Sequence, residues 1–229
     1  MPAPSVESVL SPTDATPPAP LAPPSDFVDA AAALGVAFEP GDVQRLGHFL
    51  ALLLEANART NLTAITDPVQ AWSRHILDAL SLVPVLASLE PGPGADALSV
   101  IDIGSGGGVP ALPLAIVMPE VRFTLVEATG KKVAFLNHVI ATIGLSNARV
   151  LQDRAERLGQ DHKAHRERYD AATARALGHL AIVAELCGPL VRPGGYVVAV
   201  KGAKADQELA ESAKALGIIG LRHAQTVST

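Results

Sequence analysis

From residue 98 onward, short aliphatic runs alternate with amphipathic stretches. The runs 98–103, 121–126, 148–151, 169–174 and 195–200 are rich in Val, Ile, Leu and Ala and too short for helices. Such runs read as strands of a parallel sheet buried on both faces. Between them the pattern predicts helices over 109–117 and 130–143, a short one near 154–158, and two more over 178–188 and 204–216. Residues 218–227 would begin one further strand. This alternation predicts an α/β fold, a mostly parallel, doubly wound sheet with helices on both faces.

Upstream of 98 the period changes to that of helices. Val43, Leu46, Phe49, Leu50, Leu53 and Leu54 recur at spacings of three and four, which predicts a helix over about 41–58. A short helix over 27–34 would start at a cap on Ser25 or Asp26 and end at Gly35. Asp67-Pro68 supplies a cap followed by a first-turn proline. The helix 68–82 that follows carries Trp72, Ile76, Leu80 and Val83 on its apolar side. Arg74, His75 and Asp78 gather on one side of it. They read either as a surface ion pair beside a hydrogen-bonded histidine or as a patch near a cofactor mouth. Residues 57–63 are polar and turn-like, and Pro91-Gly92-Pro93-Gly94 closes the helical preface. The expected organisation is a Pro/Ala-rich disordered tail over 1–25, with eight prolines, an N-terminal helical extension over 26–97 and the α/β core over 98–229.

Composition narrows the class. With 48% hydrophobic but 3% aromatic residues, the core of this 229-residue chain must be built from Ala, Leu, Val and Ile. The single cysteine, Cys187, excludes an intrachain disulfide and a multi-cysteine metal site, which suits a reducing cytoplasm. No secretory pattern opens the chain, and no apolar run approaches the ~20 residues that span a bilayer. No membrane role is expected. The net charge of −5 is unevenly spread: residues 1–130 hold 4 Lys/Arg and 14 Asp/Glu, whereas residues 131–175 hold 9 and 5. The basic stretch is compatible with a nucleic-acid partner and equally with an ordinary solvated surface.

The chemistry concentrates in Val100-Ile101-Asp102-Ile103-Gly104-Ser105-Gly106-Gly107-Gly108-Val109-Pro110. A buried strand running into Gly-x-Gly-x-Gly and then a helix makes a nucleotide-cofactor site at the carboxyl end of a strand. A dinucleotide site would call for Gly or Ala at 109, where Val109 stands, and no Gly-Lys-Ser/Thr of a phosphate loop follows. Asp102, two residues before the first glycine, repels phosphate but attracts the ammonium and sulfonium of S-adenosylmethionine. Glu127 ends the second strand, where its carboxylate can accept both ribose hydroxyls. Asp153 and Glu156 follow the third strand, where either could face adenine or simply favour a helix start. The pair Asp102 and Glu127, with Gly-x-Gly-x-Gly between them, favours a methyltransferase, and Asp102 with Val109 speaks against a nicotinamide oxidoreductase. Cys187 lies in an apolar helix and reads as core rather than nucleophile. Thr173-Ala174-Arg175-Ala176-Leu177 stands where amine methylases carry Asn/Asp-Pro-Pro-Tyr/Phe, which leaves no evident base. An aromatic ring nitrogen such as guanine N7 has no proton to lose and needs only positioning and charge complementarity.

The series Asn61-Leu62-Thr63, Arg74-His75-Ile76-Leu77-Asp78, Asp102 to Gly108, Leu112-Pro113-Leu114, Lys131 to Leu136, Arg154-Ala155-Glu156, Arg175-Ala176 and Lys201-Gly202 resembles the small-subunit (16S) ribosomal RNA guanine-N7 methyltransferase family, formerly called glucose-inhibited division protein B. The resemblance spans about 57–202. It implies a Rossmann-like class I methyltransferase fold, S-adenosylmethionine as methyl donor and small-subunit ribosomal RNA or the small ribosomal subunit as substrate. The single cysteine and the lack of a secretory pattern already point to a cytoplasmic protein, and nothing in the sequence sets the oligomeric state, with a monomer as the default. Carried over residue by residue, the cofactor contacts are Gly104, Val109, Glu127, Ala128, Thr129, Ala155, Glu156 and Arg175, which ranks Glu156 above Asp153. Arg175 would also meet RNA phosphate or guanine. No single catalytic residue is implied. The family usually shows glycine where this chain has Ala111. It also completes a final strand hairpin and ends basic, so that hairpin is expected to be incomplete at Thr229. The rivals are a methyltransferase for another RNA or small molecule, and a non-catalytic RNA-binding or ribosome-assembly factor with a relic cofactor site.

Overall fold

The computed structural model describes residues 17–227. Five strands form one parallel sheet: β1 (Ser99–Ile103), β2 (Arg122–Glu127), β3 (Ala148–Gln152), β4 (Tyr169–Arg175) and β5 (Val191–Val200), in the order β3-β2-β1-β4-β5. The chain winds outward from β1 in one direction to β3 and in the other to β5. The order therefore reverses between β1 and β4, where open α/β sheets leave a crevice for ligands at the strands' carboxyl ends. Register places Asp102 of β1 beside Leu125 of β2 on one side and Thr173 of β4 on the other.

Alternate side chains point to opposite faces and feed two cores. Val100, Phe123, Leu125 and Ala171 join one cluster with α6 (Ala111–Val117), α7 (Gly130–Ile143) and the N-terminal helices. Ile101, Ile103, Val126, Ala172 and Ala174 join the other with α8 (Ala155–Leu158) and α9 (Leu180–Cys187). Cys187 is fully buried there, and burial pushes its thiol up to about 12, so it is packing rather than chemistry. Outside α9 lies α10 (Ala205–Ile219). The N-terminal extension comprises α1 (Phe27–Ala33) and α2 (Asp42–Thr60), then α3 (Pro68–Ala71), α4 (Asp78–Leu80) and α5 (Val83–Ala87). Its helices share the first core with α6 and α7, with Trp72 edge-on to Phe27 at 4.5 Å between centroids. Of the segment expected to be disordered, residues 1–16 lie outside the described residues. Residues 17–24 form neither helix nor strand, but Leu21 N donates to Gly47 O at 3.1 Å.

Several elements differ from the expectation. The predicted helix 68–82 is interrupted: Trp72–Leu77 winds as a π-helix between α3 and α4. Its Asp67 cap is as expected, the side chain accepting from Gln70 N at 2.8 Å. Helix α6 starts at Ala111 rather than 109, because Gly108 keeps a left-handed φ of 86° and Val109-Pro110 stay in the loop. Strand β5 reaches back to Val191 through Gly194, and its pairing with β4 is irregular between Tyr169 and Ala171. No strand forms over 218–227. Ile218 and Ile219 extend α10, which ends at a left-handed Gly220, the usual glycine stop. Among the described residues, no helix is long and apolar enough to cross a membrane, and no group of three His, Cys, Asp or Glu side chains forms a metal site.

Candidate functional site

The glycine loop is held from below by β2. Gly104 N and Ser105 N both donate to Val126 O at 3.0 Å, which fixes the turn where β1 ends. Glu127, buried at the end of β2, binds the loop from the side: its Oε2 accepts from Gly106 N at 3.1 Å and its Oε1 from Thr129 N at 2.8 Å. A carboxylate offers about four acceptor positions, so two remain for a ligand's hydroxyls. The glycines themselves do less for a ligand than their freedom of approach suggests. A Cβ on Gly108 would collide with Leu112 Cδ1, so that glycine lets α6 pack against the strand. A Cβ on Gly104 would stand 2.7 Å from Leu177 Cδ1. Leu177, from the loop after β4, thus covers the first glycine.

Asp102 lies at the strand reversal and is 1% exposed. Its Oδ1 accepts from Thr173 Oγ1 at 2.7 Å, while its Oδ2 has no hydrogen-bond partner. Burial raises the carboxyl's pKa above its ordinary value, against the opposing influence of Ser105, Thr173 and Arg175. An orphaned, fully buried carboxylate oxygen is costly for the fold alone. A cationic group in the crevice would complete it. The residues therefore fit the ammonium and sulfonium of S-adenosylmethionine, and Glu127 fits its ribose.

Around Arg175 lie two open clefts of about 520 and 360 Å³ that share Asp78, Arg175 and Ala176; neither is lined by Asp102, the glycine loop or Glu127. Arg175 ends β4 and reaches across to the helical extension. Its Nη1 donates to Arg74 O at 3.0 Å and its Nη2 to His75 Nδ1 at 3.2 Å, with Asp78 Oδ2 at 3.8 Å from Nη1. A guanidinium can only donate, so Nδ1 of His75 accepts. The neutral ring's proton therefore sits on Nε2, which donates to Thr63 Oγ1 at 2.8 Å. Burial, with the Arg175 charge adding to it, lowers the His75 pKa to about 4 against the influence of the Arg74 backbone, so the imidazole is neutral at pH 7. Thr63 is held in turn by Asn57, whose Oδ1 accepts from Leu62 N and Thr63 N. The loop after β4 is strained, with Ala176 at a φ of 56°. It is pinned where Lys201 Nζ binds Gly178 O at 2.5 Å and Glu208 Oε2 at 2.6 Å.

The sequence-predicted residues fall into groups. Gly104, Glu127, Ala128 and Thr129 meet at the carboxyl ends of β1 and β2, with Ala128 and Thr129 exposed. Glu156 is exposed in the first turn of α8, while Asp153 Oδ1 accepts from Arg154 N at 2.8 Å, so Glu156 is the freer of the two acids. The side chains of Val109 and Ala155 are buried, one in each core. Arg175 stands apart, at the junction of the two clefts. The surface ion pair entertained for Arg74 and Asp78 does not form: among the described residues Asp78 pairs with Arg175 instead. The i→i+5 winding of 72–77 changes the spacing on which an i,i+4 pair depends. Sequence reasoning overlooked Thr173 as the partner of Asp102, and Lys201 and Glu208 as the clamp on the β4 loop. Only strand order brings these groups together, although Lys201 stands in the quoted motif series.

A sequence profile described as "GidB: rRNA small subunit methyltransferase G" matches residues 42–229. The "Ribosomal RNA small subunit methyltransferase G" of Sorangium cellulosum is 46% identical over 210 residues, covering 92% of this chain and 85% of that one. The protein of the same name from Moorella thermoacetica is 41% identical over 186 residues, 81% of this chain and 75% of its own. Among solved structures, the METTL16 MTase domain superposes with a TM-score of 0.51 at 16% identity, over 87% of this chain and 85% of that one. The Q8NRD3_CORGL protein of Corynebacterium glutamicum gives 0.51 at 13% identity, over 84% and 86%. The two structures speak to the fold alone.

Proposed function

Because this chain belongs to the rRNA small subunit methyltransferase G family, we propose that it uses S-adenosylmethionine to methylate N7 of a guanine in small-subunit (16S) ribosomal RNA. The observation that carries the reading is the buried Asp102, with one oxygen unpartnered, beside a glycine loop that Glu127 already holds in place. The unpartnered Asp102 oxygen does nothing for the fold, and Glu127 keeps acceptor capacity beyond its two backbone bonds. Both suit a nucleoside with a cationic tail.

When bound, S-adenosylmethionine supplies a methyl group on a positively charged sulfur. Asp102 would hold the ammonium and sulfonium end, Glu127 the ribose hydroxyls, and the backbone near Gly104, Ala128 and Thr129 the nucleoside. Glu156 would meet the adenine amino group, with Ala155 and Val109 shaping the walls from the core side. Guanine N7 already carries its lone pair, so no residue needs to remove a proton; His75, with both ring nitrogens hydrogen-bonded and a pKa of about 4, is a poor base and suits a site that orients. Arg175, at the mouth of both clefts, would face the RNA, and the basic stretch 131–175 would add phosphate contacts. The same reading puts the protein in the cytoplasm, acting as a monomer on ribosomal RNA or the small subunit.

Titration calorimetry with S-adenosylmethionine, followed by transfer of a labelled methyl group to undermethylated small subunits, tests this. Binding that weakens in Glu127→Ala and label at guanine are expected. RNA binding without cofactor binding would instead identify an assembly factor. Label on another base or on a small molecule would identify a methyltransferase of different specificity.

A further inference from the structure

The reading above leaves open how the cleft tells guanine from other bases, and the next inference rests on that reading. Asp78 lies in both clefts, its side chain is 53% exposed, and among the described residues its carboxylate accepts no hydrogen bond. Its one charged neighbour within 4 Å is Arg175, at 3.8 Å, too far for a good hydrogen bond. Thr173 pairs with Asp102, and Arg175 stands two residues further along β4 on the same face, so the guanidinium follows the cofactor carboxylate toward the cleft that Asp78 lines. Two of its five N–H groups are used, on Arg74 O and His75 Nδ1, which leaves three to donate.

Guanine presents a matching order around two adjoining edges: N7 as nucleophile and O6 as acceptor on one, then N1–H and the 2-amino group as donors on the next. The site presents the cofactor carboxylate, then a donor, then a free acceptor. We propose that Asp78 is the guanine-reading residue, its carboxylate accepting from N1–H and the 2-amino group while Arg175 donates to O6 and N7 faces the methyl donor. Adenine would set an amino group against Arg175 and a bare ring nitrogen against Asp78, which leaves two hydrogen bonds unmade. The contact also strengthens during reaction. The N7 lone pair forms the N–CH3 bond as the S–CH3 bond breaks with its electrons remaining on sulfur. The positive charge therefore passes from sulfur to the purine, no proton leaves N7, and N1–H becomes a better donor to a carboxylate. An interaction that grows toward the transition state raises kcat, whereas a plain tether would act on KM.

The test uses the full chain and small-subunit RNA assembled with guanosine or inosine at the position the wild-type protein methylates, as mapped by mass spectrometry. Inosine keeps N7, O6 and N1–H but lacks the 2-amino group. The wild-type protein should prefer guanosine by about tenfold or more in kcat/KM, the effect of one hydrogen bond to a charged group. In Asp78→Ala that preference should collapse to within about twofold, with kcat for guanosine falling about a hundredfold, as losing a two-bond base contact implies. Asp78→Asn, which keeps one acceptor, should fall between. Calorimetric affinity for S-adenosylmethionine should stay unchanged in both variants, which also shows that they fold. A guanosine preference that survives Asp78→Ala, or a loss confined to KM, overturns the assignment. If the wild-type protein methylates no guanine at all, it is the parent reading that fails, and this one with it.

Discussion

The two sides of the crevice are built differently. On the side proposed for the cofactor, contiguous residues come together: 102–108 and 127–129 lie at the ends of adjacent parallel strands, and Glu127 binds both the glycine loop and its own turn. On the cleft side, pieces from 63, 74–78, 175–178 and 201–208 come together through a π-turn, a strained alanine and long polar side chains. Regular strand geometry suits a ligand that presents the same groups every turnover. Irregular backbone suits the side that must admit a large partner and let it leave, since functional departures from ideal geometry collect where binding needs them.

The sharpest way to break that comparison is Asp102→Asn. Removing the buried charge should weaken S-adenosylmethionine binding by about a hundredfold or more, consistent with the ~2–5 kcal/mol typical of a lost partner in a buried charged contact. The fold should not suffer. Because burial raises the pKa of Asp102, any stability the group adds is present at low pH and lost as pH rises through its folded value, so the ionised form is a burden at pH 7. Calorimetry and a melting curve read both effects, and an unchanged affinity would refute the assignment of the cofactor side.

Next in size is Gly108→Ala. A left-handed φ of 86° and the collision with Leu112 should cost about 1–3 kcal/mol, a fall in Tm of roughly 3–10 °C for a chain of this size. Tm unchanged within a degree would mean that the loop has room it does not show. On the cleft side, Arg175→Lys keeps the charge but loses the planar fork that spans Arg74 O and His75 Nδ1. Methylation of RNA should drop by about tenfold in kcat/KM, equivalent to about 1.4 kcal/mol, and cofactor affinity by less.

His75 gives a pH signature. Its folded pKa of about 4 lies below the ordinary value of 6.5, so the unfolded chain binds the proton more readily. Stability should therefore be full above pH 6.5 and decline as pH falls through the interval down to about 4. His75→Gln should flatten that slope in denaturant titrations across the same window. The smallest expected effect is Thr63→Val, which removes the acceptor for His75 Nε2–H and Ile65 N. It should cost about 1 kcal/mol and leave cofactor affinity alone.

How much could be read in advance follows the same division. The strand, glycine turn and helix that place Asp102 and Glu127 at strand ends were legible because each is a local pattern at a fixed offset from an apolar run. The π-turn over Trp72–Leu77 was not, since Trp72, Ile76 and Leu80 satisfy ordinary helical spacing and composition does not mark an i→i+5 ladder. The Asp102–Thr173 bond depends on β4 lying beside β1, a fact of strand order. The apolar pair Ile218-Ile219 suggested a strand. The glycine at 217 did not stop α10, and only the left-handed one at 220 did. Val109 was read both against a dinucleotide and as a cofactor contact; its buried side chain in the core under the loop required the packing to be seen.

The central claim is that a cofactor cradle and a guanine cleft meet across Arg175. Its most direct test is to incubate the protein with isotopically labelled S-adenosylmethionine and small subunits from cells lacking the gene, then digest the RNA and identify the labelled nucleoside by mass spectrometry. Label in 7-methylguanosine at one position of the small-subunit RNA is the predicted result. Label in any other nucleoside, or none in RNA from a protein that still binds the cofactor, would contradict it.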